Sequence, residues 1–85
     1  MDILQVIRLT ENIRKNSAKL SASLVNGEST VKGQAVRLMG TVRGSRTGEA
    51  AVGIMMRSAQ AMGSASISLK ALCKECDEYI AIRKL

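Results

Sequence analysis

Residues 51–80 read AVGIMMRSAQAMGSASISLKALCKECDEYI, and the spacing of their small and apolar members decides the fold. Counting on from Ala51, such residues recur at Met55, Ser58, Met62, Ala65, Leu69, Leu72, Cys76 and Tyr79, in alternating steps of four and three. That is a repeat of about 3.5 residues, the period of a helix that packs lengthwise against other helices. A second stripe through Val52, Ala59, Cys73 and Ile80 widens the apolar face. No proline occurs anywhere in the chain to interrupt it. The stretch predicts one long helix with a broad face to bury.

Upstream, Gly40, Gly44 and Gly48 punctuate Arg43-Gly44-Ser45-Arg46-Thr47-Gly48. Each glycine costs a helix up to ~1 kcal/mol against alanine, so the cluster predicts a loop over about 43–48. Ser45 or Thr47 can accept from the N–H groups of the next turn, with Glu49 placed favourably at the helix start. Helix 2 is then expected over about 49–83. Before the loop, Ile3, Val6, Ile13, Leu20 and Leu24 share a face that Leu4, Ile7 and Val25 widen, with Thr10 and Ser17 at seam positions. Asn26-Gly27 is a candidate break, yet Val31, Ala35, Leu38 and Val42 resume the phase that an unbroken helix would keep. The reading is one first helix over about 2–43 with a weak point at Gly27, in a single domain spanning 1–85. The fold class expected is all-α, an antiparallel helical hairpin, joining a four-helix or larger bundle on association.

A chain of 85 residues has a marginal core unless disulfides, metals or association supplement it. Two cysteines and no histidine favour association. No run of about 20 apolar residues is present for a membrane span, and no basic segment followed by an apolar stretch marks a signal peptide. A cytoplasmic protein is expected, or one secreted together with its partner. The net charge of +6 is spread evenly, with two more basic than acidic side chains in each of residues 1–25, 26–49 and 50–85. Such a surface confers solubility and a general attraction to acidic partners more than a nucleic-acid footprint.

Cys73-Lys74-Glu75-Cys76 is a CxxC, but it lies deep in a predicted helix beside acidic residues, whereas a redox pair wants a helix N-terminus. A structural zinc site needs four ligands, which this chain supplies only if two copies share a metal. Both cysteines are better read as small core residues, Cys76 on the main stripe. Gly44 to Gly48 has the composition of an anion-binding nest, without the lysine and spacing of a phosphate loop, and reads as a plain turn. The small-xxx-small spacing of Gly40, Gly44 and Gly48 would mean helix dimerisation in a membrane only in an apolar setting, which Arg43 and Arg46 exclude. No catalytic residue, metal or cofactor is expected.

With this layout the chain resembles the small WXG-motif proteins of type VII secretion and the related helical partners of LXG toxins. Arg46-Thr47-Gly48 stands where that family carries Trp-x-Gly in the central turn, and Glu49-Ala50-Ala51 with Ile54 is similar to the segment that follows. Arg46 replaces the tryptophan. The family's export signal, a tyrosine followed four residues later by an acid, is altered, since Tyr79 is followed by Arg83. The resemblance implies a subunit that binds another helical protein, a WXG-like chain or the N-terminal helical domain of a secreted toxin, as targeting factor or chaperone. The packing and partner-interface residues expected are Met55, Met62, Leu69, Leu72, Cys76 and Tyr79 against Leu20, Leu24, Leu38 and Val42. A homo-oligomer is a further form of the same reading. The competing reading is a small basic nucleic-acid-binding or regulatory protein using Arg37, Arg43, Arg46 and Arg57 around the loop.

Overall fold

A computed structural model describes residues 2–84 as two antiparallel helices, α1 (Ile3–Val42) and α2 (Arg46–Lys84), packed along their whole length. The rod they form measures 61 × 18 × 14 Å. This is the all-α hairpin that the apolar period predicts.

At the start of α1, Asp2 Oδ1 accepts from the Gln5 N–H at 2.9 Å while Gln5 Oε1 accepts from the Asp2 N–H at 3.2 Å. This reciprocal cap satisfies two otherwise free donors. The helix then runs through Gly27 without a break. A β-carbon at Gly27 would lie 3.3 Å from Met62 Sδ, so this glycine seats the methionine of the facing helix.

The connection is shorter than the 43–48 expected from the glycines. It comprises Arg43, Gly44 and Ser45, and Arg46, Thr47 and Gly48 already belong to α2. Gly44 takes the left-handed conformation (φ 88°) that reverses the chain, and the Ser45 N–H donates to the Val42 carbonyl at 2.8 Å. Ser45 Oγ accepts from the Gly48 N–H at 3.2 Å, the first of the two expected caps, and α2 begins at Arg46, three residues before the expected Glu49. Gly48 owes its identity to close approach, because a β-carbon there would run into the Val42 side chain, with Cγ2 at 2.7 Å.

Every buried residue among those described falls on one seam. On α1 it runs through Ile7, Thr10, Arg14, Ser17, Ser21, Leu24, Glu28, Val31, Ala35, Leu38 and Val42, and on α2 through Gly48, Val52, Met55, Ala59, Met62, Ser66, Leu69, Cys73, Cys76 and Ile80. Both rows keep alternating steps of three and four, the geometry of a left-handed coiled coil. The α2 seam combines Met55, Met62, Leu69 and Cys76 of the expected main stripe with the second stripe. Ser58, Ala65, Leu72 and Tyr79 lie on the flank instead. On α1, Ile7 is buried, whereas Ile3, Ile13 and Leu20 are exposed.

The physical reason is the size of the seam residues. Ser17, Ser21, Ala35, Ala59 and Ser66 let the helices approach closely, and Ser21 and Ser66 satisfy one another. Ser21 Oγ lies 2.9 Å from Ser66 Oγ and 3.2 Å from the Ser66 carbonyl, while Ser66 Oγ donates to the Ser21 carbonyl at 3.3 Å. Among the described residues no buried side-chain N or O atom lacks a partner. The buried apolar residues are Ile7, Ala35, Val52, Ala59 and Cys76. A buried Ile or Val contributes roughly 1.5–3 kcal/mol and an alanine far less, so the hairpin's own core is thin.

Candidate partner-docking face

In an antiparallel pair, the positions flanking the seam on one helix meet the like positions on the other, which makes two unlike sides. One side carries Val6, Ile13, Leu20, Gly27, Gln34 and Thr41 of α1 beside Ala51, Ser58, Ala65, Leu72 and Tyr79 of α2. No charged residue stands in either row. Ile13 is 41%, Leu20 53% and Leu72 41% exposed, and all three are larger than most residues in the seam beside them. The rows just outside bring Leu9, Ile54 and Ile82, all exposed, and two charges, Arg37 and Glu75.

The opposite side carries ion pairs, interspersed with the exposed apolar residues Leu4, Val25 and Met39. Arg14 Nε meets Asp77 Oδ1 at 3.0 Å, Lys84 Nζ meets Glu11 Oε1 at 3.4 Å, and Lys32 Nζ meets Glu28 Oε1 at 3.4 Å. A shallow open groove there is lined by Ala18, Ala22, Val25, Lys70 and Cys73. A soluble helical pair normally turns polar residues outward and gathers its large apolar side chains inside. Here one flank inverts that arrangement, and a contiguous exposed apolar strip marks an interaction surface.

The residues expected at an interface divide between two places. Met55, Met62, Leu69, Cys76, Leu24, Leu38 and Val42 line the intramolecular seam, with Cys76 fully buried and the others half-buried. Leu20 and Leu72 stand on the uncharged flank, as does the half-buried Tyr79, over whose ring the Arg83 guanidinium lies at 5.2 Å. Ile13 completes the strip and was not among the expected interface residues. Its signal is its seven-residue spacing from Leu20, matching that of Leu72 from Tyr79.

Arg46 and Thr47 are exposed on the first turn of α2, and Gly48 abuts Val42. Cys73 and Cys76 are free thiols, and Cys73 Sγ lies 3.5 Å from the Arg14 carbonyl. Among the described residues no three His, Cys, Asp or Glu side chains come together as a metal-binding group. Arg43 and Arg46 border the turn, Arg37 projects from the row beside the uncharged flank and Arg57 from the back of α2. The four do not share one face. No helix among the described residues is long and apolar enough to cross a membrane. Comparison with protein-family models, curated proteins and solved structures returns no match, so the fold and the face rest on the chain's own sequence and geometry.

Proposed function

We propose that this chain is a helical interaction protein that completes a four-helix or larger bundle by laying its uncharged flank on another helical protein. The observation that carries this reading is the placement of Ile13, Leu20 and Leu72 outside the seam on a flank free of charge. Covering such a strip supplies affinity through the hydrophobic effect, and the thin core of the isolated hairpin gives association a stabilising role as well. By its resemblance to the WXG-motif proteins, the setting is a type VII secretion system. There the chain serves as targeting factor or chaperone for an exported effector, or as a co-secreted WXG-like subunit. Light scattering on the purified chain, alone and mixed with the helical product of an adjacent gene, tests the reading. A discrete complex that Leu20→Asp with Leu72→Asp abolishes, while far-ultraviolet circular dichroism keeps its helical signal, supports it. A chain that stays monomeric in both samples, or a complex indifferent to the two aspartates, overturns it.

A further inference from the structure

The charge that is spread evenly along the sequence is uneven round the rod. Arg37 and Glu75 cancel at the border of the uncharged flank, so the positive excess lies elsewhere. The opposite side carries a continuous trough between the helices. Two open hollows make it up, and they meet at Val25 and Lys70, which line both. Ser21, Ser66 and Cys73 of the seam form its floor, with Ala18, Ala22 and Val25 of α1 on one wall and Gly63 and Ile67 of α2 on the other. The trough exists because Ala18 and Gly63 stand in the rows beside the seam, where long side chains ordinarily lie across it. The Glu28 carboxylate lies over Gly63, where a β-carbon would displace it, and Val25 and Ile67 are left 44% and 69% exposed. From Arg14 to Lys32 the trough runs about 27 Å at 1.5 Å per residue, or about five helical turns.

Its charges say what it would hold. An ion pair stands at each end, Arg14 with Asp77 and Lys32 with Glu28, so both of these carboxylates are already claimed. Among the described residues no carboxylate pairs with Lys70, which overlooks the middle of the trough. The same holds for Lys15 and Lys74, which stand one heptad from Ala22 and Ile67 in the outer rows. We propose that this trough is a second docking site, and that its occupant is an acidic amphipathic helix of a partner protein, lying as a third helix along α1 and α2. The occupant's apolar strip fills the space over Ala18, Ala22 and Gly63, and Asp or Glu on its borders meets Lys15, Lys70 and Lys74. The walls are aliphatic and offer no aromatic ring for a base to stack on, so the trough favours such a helix over a nucleic-acid strand. The site is independent of what covers the uncharged flank.

The test is fluorescence anisotropy with the full chain and a labelled synthetic peptide of about five helical turns, with leucines along one face and glutamates on both borders. A peptide with lysines in place of the glutamates and a labelled single-stranded RNA are run beside it. The glutamate peptide should bind, more weakly as salt is added, and the lysine peptide should bind at least about tenfold less tightly. Lys70→Glu with Lys74→Glu should weaken the glutamate peptide about tenfold. Ala18→Phe, which fills the trough without altering charge, should weaken it too, with the helical circular dichroism signal kept in each variant. Leu20→Asn with Leu72→Asn, on the other side of the rod, should leave it unchanged. No binding, equal binding of the two peptides, or indifference to Ala18→Phe overturns the proposal. So does RNA that binds more tightly than the peptide and depends on Lys70 and Lys74. A peptide lost with Leu20→Asn and Leu72→Asn but not with the trough variants sits on the uncharged flank, which overturns the trough and leaves that flank standing. A chain that binds the peptide in the trough yet fails the light-scattering test keeps this site and loses the other.

Discussion

Replacing Gly48 by alanine tests how tightly the turn holds the two helices. Alone, the change favours helix by up to ~1 kcal/mol, and less in a first turn. Against this, the new β-carbon meets the Val42 side chain, 2.7 Å from Cγ2 and 3.0 Å from Cγ1. Val42 cannot easily swing aside, because a β-branched side chain in a helix has one strongly preferred rotamer and its carbonyl is held by the Ser45 N–H at 2.8 Å. Overpacking of this kind costs about 1–3 kcal/mol, so a net loss of about 1–2 kcal/mol is expected. For a domain of this size each kcal/mol moves the melting temperature by roughly 4–8 °C. Gly53→Ala is the matched control, since a β-carbon there has nothing within 4 Å, and it should gain up to ~1 kcal/mol. Thermal melts followed by circular dichroism at one fixed protein concentration compare the two variants with the parent, because association also shifts the midpoint. Opposite signs are expected. If Gly48→Ala melts at or above the parent, the close approach at the turn is refuted.

Ser21→Ala or Ser66→Ala alone should cost about 0.5–1.5 kcal/mol, and the double replacement less than their sum, in a double-mutant cycle of urea unfolding; strict additivity would show that the two hydroxyls do not act as a pair. Met62→Asp and Leu69→Asp, which put a charge in the intramolecular seam, should unfold the hairpin by circular dichroism, whereas Leu20→Asp should retain its helical signal. Asp77→Asn breaks an ion pair whose side chains are about half exposed, and the melting midpoint should move by less than about 1 kcal/mol equivalent. Cys73→Ser should be close to neutral, and Cys76→Ser, which buries a new hydroxyl, should cost about 1–2 kcal/mol in the same melts.

The hairpin was legible because an apolar period of about 3.5 residues, sustained on both sides of a glycine-rich turn, admits little else. The unbroken helix at Gly27 was legible for a related reason: Val31, Ala35 and Leu38 keep the phase of Leu24. The rotation of α2 was not. Two candidate seams share Met55, Met62, Leu69 and Cys76 and differ in whether Leu72 and Tyr79 or Ala59, Ser66 and Cys73 complete them. Hydrophobicity favours the first set, and close approach favours the second. What decides is the pairing of Ser21 with Ser66, 45 positions away, which depends on how the turn aligns the helices. The docking face shared that fate. Leu20 and Leu72 stood out as large apolar residues, but a flank free of charge becomes visible only once the rotation is known. The turn's bounds were missed by three residues because composition registers three glycines and cannot tell that Gly48 serves contact and Gly44 reversal.

Because both seams repeat every seven residues, a slide of one helix by a full heptad would keep the same rows facing, with Ser66 brought against Arg14 or Glu28 in place of Ser21. Val42 against Gly48 prevents this by acting as an index mark from which every later layer is counted. Two lengths of change follow. Deleting one whole heptad from each helix, at matched depth from the turn, should shorten the rod and leave the remaining layers in step. Inserting a single residue just after Gly48 should turn the rest of α2 by about 100° and present Ser58 and Ala65 where Ala59 and Ser66 should be, and Glu75 where Cys76 should be. The molecule is therefore tolerant in length and intolerant in phase.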